Sequence, residues 1–205
     1  YNIYAEWFEG PTTRLPALVK VFTKARLETL GTMKRISKTN VLQMARALAK
    51  TAYANPGIVF KVALGQIEAY SNLTEVVVEC AKYFTDLGYD VLVWCLMSSL
   101  GGQSRSRTQG SNALLTSKWL LALSNFAGKV FKRFSIMNPA PILQYVNNQV
   151  YEGNATDLVI LQELIKQMCG IVPDTDFTDS QLLALTGGPV LRRQTLISLQ
   201  DKRYE

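Results

Sequence analysis

Residues 73–84 read LTEVVVECAKYF, and the apolar positions of this stretch repeat with the period of an α-helix. They fall at i, i+3, i+4, i+7, i+8 and i+11, so they share one face of a single helix. These positions are Leu73, Val76, Val77, Cys80, Ala81 and Phe84. Asn72 and Glu75 have the spacing of a capping box at the start of this helix. The stretch therefore predicts an amphipathic helix that buries one face in a core.

The same helical period recurs along the 205 residues, with short breaks that contain Pro, Gly, Asn or Ser. No Asn-Gly or Asp-Gly pair marks a two-residue β-hairpin. We predict helices over residues 15–36, 41–54, 57–70, 73–86, 90–100, 113–134, 141–151, 155–169 and 179–186, and a last one from about residue 189. Pro56 suits the first position of a helix. Thr178 and Gln181 form a second capping-box pattern, and Gly187 and Gly188 would end the helix that it begins.

Residues 91–97 are apolar on every side, so a buried strand is the alternative to a helix there. We favour a helix, because nothing nearby could pair with a strand. Pairing the helices in order gives units that begin near residues 15, 56, 90 and 140, at the ~34–50 residue spacing of HEAT and armadillo repeats. The predicted fold is all-α, an irregular α-solenoid of HEAT/armadillo-like helix pairs. An irregular bundle of the same helices remains the alternative.

We treat residues 1–205 as a single all-helical segment of a longer protein, since the first residue is Tyr1 rather than Met. Within it we distinguish a basic first helical pair at 1–54, a solenoid core at 55–186 and a basic C-terminal helix at 187–205. The longest apolar run has seven residues, whereas a membrane helix needs about 20. A soluble chain is expected.

The residue types argue against catalysis. The chain has no histidine, which removes the commonest general base and metal ligand. Cys80, Cys95 and Cys169 each lie in an apolar run and read as buried, inert thiols of a reducing compartment. We expect no enzyme activity and no catalytic, cofactor-binding or metal-binding residue.

Three aspartates cluster in the sequence PDTDFTDS: Asp174, Asp176 and Asp179. The spacing has a superficial likeness to a calcium loop, but the glycine and the closing glutamate of such a loop are missing. Turn and helix-start chemistry accounts for all three aspartates.

The net charge of +6 is distributed in blocks of alternating sign. Residues 1–50 hold nine Lys or Arg against three acids, and residues 51–90 hold two against five. Residues 91–151 hold six against none, residues 152–185 one against six, and residues 186–205 four against two. Alternating charged surfaces suit partners of complementary charge.

Basic clusters supply the candidate contacts to partners or nucleic acid. These are Lys34, Arg35, Lys38, Lys129, Lys132, Arg133, Arg192 and Arg193. The simpler explanation for those near helix ends is that cations there complement the helix dipole. Arg105 and Arg107 lie in the loop GGQSRSRTQGSN, which reads as a flexible solvated linker, with contact to RNA as the alternative.

Five strings carry a resemblance to a known family. They are ALAKTAYANPGIVFKVALGQIEAYSNLTEVVVECAKYF, SKWLLALSNFAGKVFKRF, LQYVNNQV, DLVILQELIKQMCGI and FTDSQLLALTGGPVLRRQ. In content and order they resemble the family of the largest scaffold subunit of the THO/TREX mRNA export complex, THO complex subunit 2. The resemblance spans residues 45–194. It leaves out the loop around Arg105 and Arg107, so no role is carried over to either arginine.

The resemblance implies a non-catalytic nuclear scaffold without a cofactor that couples transcription to mRNP packaging and mRNA export. Its implied partners are the other THO subunits and a DEAD-box RNA helicase of the export pathway, bound by a domain similar to the helicase-binding HEAT domain of translation-initiation scaffolds. Sequence-nonspecific binding of RNA or DNA through the basic patches is the alternative function, since phosphate neutralisation needs only clustered cations.

Overall fold

A computed structural model of the chain describes residues 2–37, 39–102, 105–109, 112–170 and 187–201, and these are overwhelmingly α-helical. The first six α-helices are α1 (Asn2–Glu9), α2 (Pro16–Arg35), α3 (Val41–Ala54), α4 (Pro56–Ala69), α5 (Thr74–Ala81) and α6 (Asp86–Leu100). After them come α7 (Lys118–Arg133), α8 (Ala140–Tyr151), α9 (Leu158–Cys169) and α10 (Gly188–Asp201). Short 3-10 helices cover Pro11–Arg14, Ser71–Leu73 and Ala155–Asp157. The all-α prediction is confirmed.

The chain divides into two compact units, residues 1–169 and residues 170–205. In the second unit the structure describes α10, which follows Gly187, and both Gly187 and Gly188 have positive φ (73° and 85°). Glycine adopts this left-handed conformation without steric cost. The predicted helix at 179–186, its capping box at Thr178 and Gln181, and the aspartates Asp174, Asp176 and Asp179 lie outside the described residues.

Helices of the first unit contact one another in a regular succession. Helix α2 packs on α4, α3 on α5, α4 on α6, α5 on α7, α6 on α8 and α7 on α9. Contacts between consecutive helices, such as α2 with α3 and α8 with α9, join the two series. Within the first unit, α2, α4, α6 and α8 therefore contact one another in series, and so do α3, α5, α7 and α9.

The core lies where α4, α6 and α7 meet. Helix α6 includes residues 91–97, so the helix prediction there is confirmed, and burial of Val91, Leu92, Val93 and Leu96 explains why this run is apolar on every side. Each such side chain stabilises the fold by roughly 1.5–3 kcal/mol on full burial. Thr85 caps the helix, since its hydroxyl accepts a hydrogen bond from the Gly88 amide at 3.1 Å.

Helices α7 and α9 are in close contact at Gly128. A Cβ atom on this residue would lie 2.8 Å from the backbone oxygen of Glu163 and 2.8 Å from Cγ of Gln167. Only glycine fits there, because a side chain would force the two helices apart.

One predicted helix start and one predicted helix cap are wrong. The predicted start at 113 falls within a β-strand, β2 (Asn112–Thr116), which pairs antiparallel with β1 (Thr108–Gln109), and α7 begins only at Lys118. The capping box at Asn72 and Glu75 does not form: Ser71–Leu73 is a 3-10 helix, and Leu73 precedes α5 without a side-chain cap. The Glu75 carboxylate pairs instead with Lys129 across the α5–α7 interface.

The cysteines divide into two kinds. Cys80 and Cys95 are buried, as predicted. The prediction for Cys169 is wrong: this residue is exposed, because it is the last residue of α9 and no helix covers it within the first unit. In the parts of the chain that the structure describes, no helix combines the length and the apolar character needed to cross a membrane.

Candidate functional site

Four of the eight candidate cations lie in the last turn of a helix. Lys34 and Arg35 are exposed in the last turn of α2, where Arg35 Nε donates to the Gly31 carbonyl at 2.9 Å. Lys132 and Arg133 occupy the same position in α7. These placements fit the helix-dipole explanation.

Of three other candidate cations, Lys38, Arg192 and Arg193, the structure describes the side chain of one. Arg193 is exposed on α10. Lys38 lies outside the described residues, and so does the side chain of Arg192. Their roles as partner contacts stay predictions.

Two of the candidate cations have partners within the chain. Lys129 pairs with Glu75, and Arg133 forms a two-pronged pair with Glu79 in which Nη2 donates to Oε2 at 2.9 Å. Residues four apart stand one turn above each other on a helix. The two pairs therefore form a ladder between α5 and α7, and Lys132, which is exposed, stays outside it.

Arg105 attaches its loop to α4 and α7. Its guanidinium donates to both carboxylate oxygens of Glu68, at 3.0 and 2.8 Å, and lies over the Trp119 ring at 4.1 Å from the centroid. The indole of Trp119 donates in turn to the carbonyl of Ser106 at 3.1 Å. A two-pronged pair stacked on an aromatic ring is a geometry that only arginine provides.

Arg107 is the centre of a buried polar cluster. Its Nε donates to Asp157 Oδ1 at 2.8 Å, and its Nη2 to Tyr145 Oη at 3.2 Å and Gln149 Oε1 at 3.3 Å. Tyr145 Oη also lies 3.0 Å from both Asp157 Oδ2 and the Leu100 carbonyl. The cluster thus joins the loop to α6, α8 and the turn before α9.

Burial governs the acid–base properties of this cluster. Asp157 is 0% exposed, and a buried carboxylate needs a cation and hydrogen bonds to be tolerated. Desolvation, outweighing the hydrogen bond from Arg107, raises the pKa of Tyr145 to about 12. The hydrogen bond to Asp157 raises the pKa of Arg107 above its ordinary value, against the opposing effect of burial. Both groups therefore keep their protons at neutral pH.

The interpretation of the loop as a flexible solvated linker is wrong at Arg105 and Arg107. Both side chains are only partly exposed and both hold acids of other elements. The sequence interpretation missed Glu68 and Asp157 as their partners. The available signal was the strongly basic block at 91–151 between two acidic blocks, since blocks of opposite sign can pair when the chain folds.

Most of the exposed positive charge lies in residues 1–50, because ion pairs neutralise most of the cations in residues 91–151. Four of the six cations in residues 91–151 are paired with acids of neighbouring blocks. Among the described cations of residues 1–50, Lys24 is the one that pairs with an acid, Glu28, at 4.0 Å. A cleft of about 650 Å³ separates α2 from α3 on this surface, and Lys24, Arg35 and Lys50 line it.

A metal site was not expected, and the described part of the chain holds no group of three or more His, Cys, Asp or Glu residues that could bind an ion.

The comparisons with known proteins bear on function more directly. The family model described as "THO complex subunit 2 N-terminus" matches residues 1–46, and the model described as "Transcription- and export-related complex subunit" matches residues 48–124.

THO complex subunit 2 from Homo sapiens is 37% identical to the chain over 95% of its length, and the Arabidopsis thaliana protein of that name is 35% identical over 94%. The chain belongs to the THO complex subunit 2 family. The Saccharomyces cerevisiae THO complex subunit 2 is 30% identical over 99% of the chain. The chain spans 12% of the human, 10% of the plant and 13% of the yeast THO complex subunit 2.

Proposed function

We propose that this chain is a non-catalytic scaffold segment of a nuclear THO complex that couples transcription to mRNA packaging and export. The observation that carries the proposal is family membership along almost the whole chain. One matching family model is described as a transcription- and export-related complex subunit. The absence of histidine from the sequence agrees with a role that needs no general base.

The succession of helix contacts supports an α-solenoid of HEAT/armadillo-like pairs. In such folds each helix pair packs on the next, so contacts between helices i and i+2 recur along the chain. Helices α2 to α9 follow this rule. A stack of this kind offers long, rigid surfaces on which several proteins can be held in fixed relative positions.

The proposed partners are the other THO subunits and a DEAD-box RNA helicase of the export pathway. Exposed cations at the end of α2, Lys34 and Arg35, offer contacts that no acid of the described residues occupies. Such contacts mainly determine association rate and partner choice.

Copurification tests this proposal in the full-length protein that contains the segment. A tagged protein from nuclear extract should recover other THO subunits and the helicase. Lys34→Glu with Arg35→Glu should lower helicase recovery, whereas the matched reversal of two exposed cations outside the candidate set, Lys82→Glu with Lys118→Glu, should not. Recovery of the tagged protein without any THO subunit would contradict the scaffold assignment.

A second candidate function is binding of RNA or DNA without sequence preference. The observation that favours it is the exposed positive charge of residues 1–50. Binding by phosphate neutralisation weakens steeply with salt. Affinity for an oligonucleotide that is equal at 50 and about 200 mM salt would therefore contradict it.

A further inference from the structure

Exposed, unneutralised charge is concentrated on α2 and α3. Eight cations of residues 1–50 have described side chains, and all eight are exposed: Arg14, Lys20, Lys24, Arg26, Lys34, Arg35, Arg46 and Lys50. Of the three acids in this block, Glu9 pairs with Lys61 of α4. Glu28 reaches Lys24 only at 4.0 Å, and both side chains are more than half exposed. Exposed pairs of this kind contribute little, so the surface stays strongly positive.

The cleft between α2 and α3 arranges part of this charge along a trough. Lys24 and Arg35 line it from α2, and Lys50 lines it from α3. Lys24 and Arg35 are eleven residues apart, which corresponds to roughly 16 Å along the helix axis. Glu28 is the single acid of the lining. The trough therefore presents cations on two opposite walls over the length of several nucleotides.

Most of the side chains inside the cleft are small. Besides its charged residues, the lining consists of Ala25, Ala47, Ala54, Thr32, Thr51 and Asn55, and Val21 is its one larger apolar residue. The hydroxyl of Thr32 donates to the Glu28 carbonyl at 2.9 Å. Peptide ligands generally anchor large apolar side chains in matching pockets, and this lining offers none.

Helix α3 carries an exposed aromatic ring one turn from Lys50; the ring lines a neighbouring depression with Tyr83 and Phe84 and is not part of the cleft lining. Tyr53 is 79% exposed and lies three residues after Lys50, while Arg46 lies one turn before Lys50. Positions i, i+4 and i+7 share one side of a helix. A cationic groove beside an exposed aromatic side chain is the combination that binds single strands, since phosphates meet cations and a base stacks on the ring.

We propose that the cleft between α2 and α3 binds the phosphate backbone of a single-stranded nucleic acid, with Lys24, Arg35 and Lys50 as phosphate contacts and Tyr53 as a stacking position. This inference rests on the second candidate function and gives it a site. The bound strand is recognised by charge and stacking without reading of base edges.

Fluorescence anisotropy with a labelled oligouridine of about 15 nucleotides tests the site in the 205-residue chain. The variant Lys24→Ala/Arg35→Ala/Lys50→Ala should bind at least tenfold more weakly. Its plot of log affinity against log salt should be less steep by about 2, because each lost contact to a single strand contributes about 0.7 to the slope. The Tyr53→Ala variant should weaken binding about fivefold or more for the single strand and less for a duplex.

The matched control is Arg14→Ala/Lys82→Ala/Lys118→Ala, which removes three exposed cations that do not line the cleft. It should keep most of the affinity. All variants should melt at the wild-type temperature, because the changed side chains are exposed.

Each contrary result has its own meaning. A wild-type chain that fails to bind the oligonucleotide at low salt overturns both the site and the second candidate function. Equal losses in the cleft variant and its control overturn the site and leave that function standing. Displacement of the oligonucleotide by polyglutamate at equal charge concentration would show that the cleft prefers an acidic protein segment, and would overturn the nucleic-acid assignment.

Discussion

Arg107 neutralises a charge that the fold has removed from water. Asp157 is fully buried, and Arg107 supplies its counter-ion. We expect Arg107→Ala to lower the free energy of unfolding by about 3–5 kcal/mol, because it leaves a buried carboxylate unpaired. Urea denaturation followed by circular dichroism measures this change.

Arg133 provides the matched control at residue level. Its pair with Glu79 is about half exposed, so Arg133→Ala should cost less than about 1 kcal/mol. Adding Asp157→Asn to Arg107→Ala should recover part of the loss, since the neutral amide is cheaper to bury. Equal costs for Arg107→Ala and Arg133→Ala would contradict the importance assigned to burial.

The buried thiols make stability fall at alkaline pH. Desolvation raises the pKa of Cys80 and of Cys95 to about 12 in the folded chain, against an ordinary value of 9.0. Between pH 9 and 12 the unfolded chain loses these protons while the folded chain keeps them, so ionisation favours unfolding. Each thiol should lower the unfolding free energy by about 1.4 kcal/mol per pH unit above 9.

Comparison of unfolding free energies at pH 8.5 and 10 measures this effect. The slope should become shallower in Cys80→Ala/Cys95→Ala and stay unchanged in Cys169→Ala, which alters an exposed residue. An identical slope in the double variant would show that other groups cause the alkaline loss.

At the scale of elements, the sequence predicts buried helices well and irregular segments poorly. Helix α6 was predictable because nothing near residues 91–97 could pair with a strand, and α4 because Pro56 marks its first position. The β-hairpin was not, because the polar pair Thr108–Gln109 has no strand pattern and pairs with Asn112–Thr116 only in the folded chain. Long-range partners likewise decided the role of Glu75, which pairs with Lys129 instead of capping α5.

The α7–α9 interface gives a prediction at the same scale. Gly128→Ala should destabilise the chain by about 1–3 kcal/mol, because the new methyl group overlaps backbone and side-chain atoms of α9. Gly65→Ala in α4 is the matched control, since it meets no atom within 4 Å and should stabilise by about 0.5–1 kcal/mol through helix propensity. Thermal denaturation of the two variants should thus give shifts of opposite sign; two downward shifts of similar size would argue against close packing at Gly128.

Across the whole molecule, the alternation of charge in the sequence reflects contacts within the chain. Each of the five long-range ion pairs of the described residues joins two different blocks, as Lys61 with Glu9 and Arg107 with Asp157 do. The sequence showed which blocks carry opposite charge, but two equally basic blocks, 1–50 and 91–151, could not be told apart. The fold distinguishes them, because helix packing brings acids next to the cations of residues 91–151 and leaves the cations of residues 1–50 exposed.

A charge swap on α5 and α7 tests this account of the block pattern. Arg133→Glu and Glu79→Arg should each destabilise the chain by about 1 kcal/mol, because each places like charges side by side, and the double swap should return to within about 0.5 kcal/mol of wild type. Both single penalties should shrink in 1 M NaCl, where the screening length is about 3 Å. Additive losses in the double swap would mean that the pair contributes no attraction, and that the alternating blocks do not hold the folded chain together. Recovery in the double swap, with the net charge of +6 unchanged, would show that position in the fold, rather than total charge, determines how these residues act.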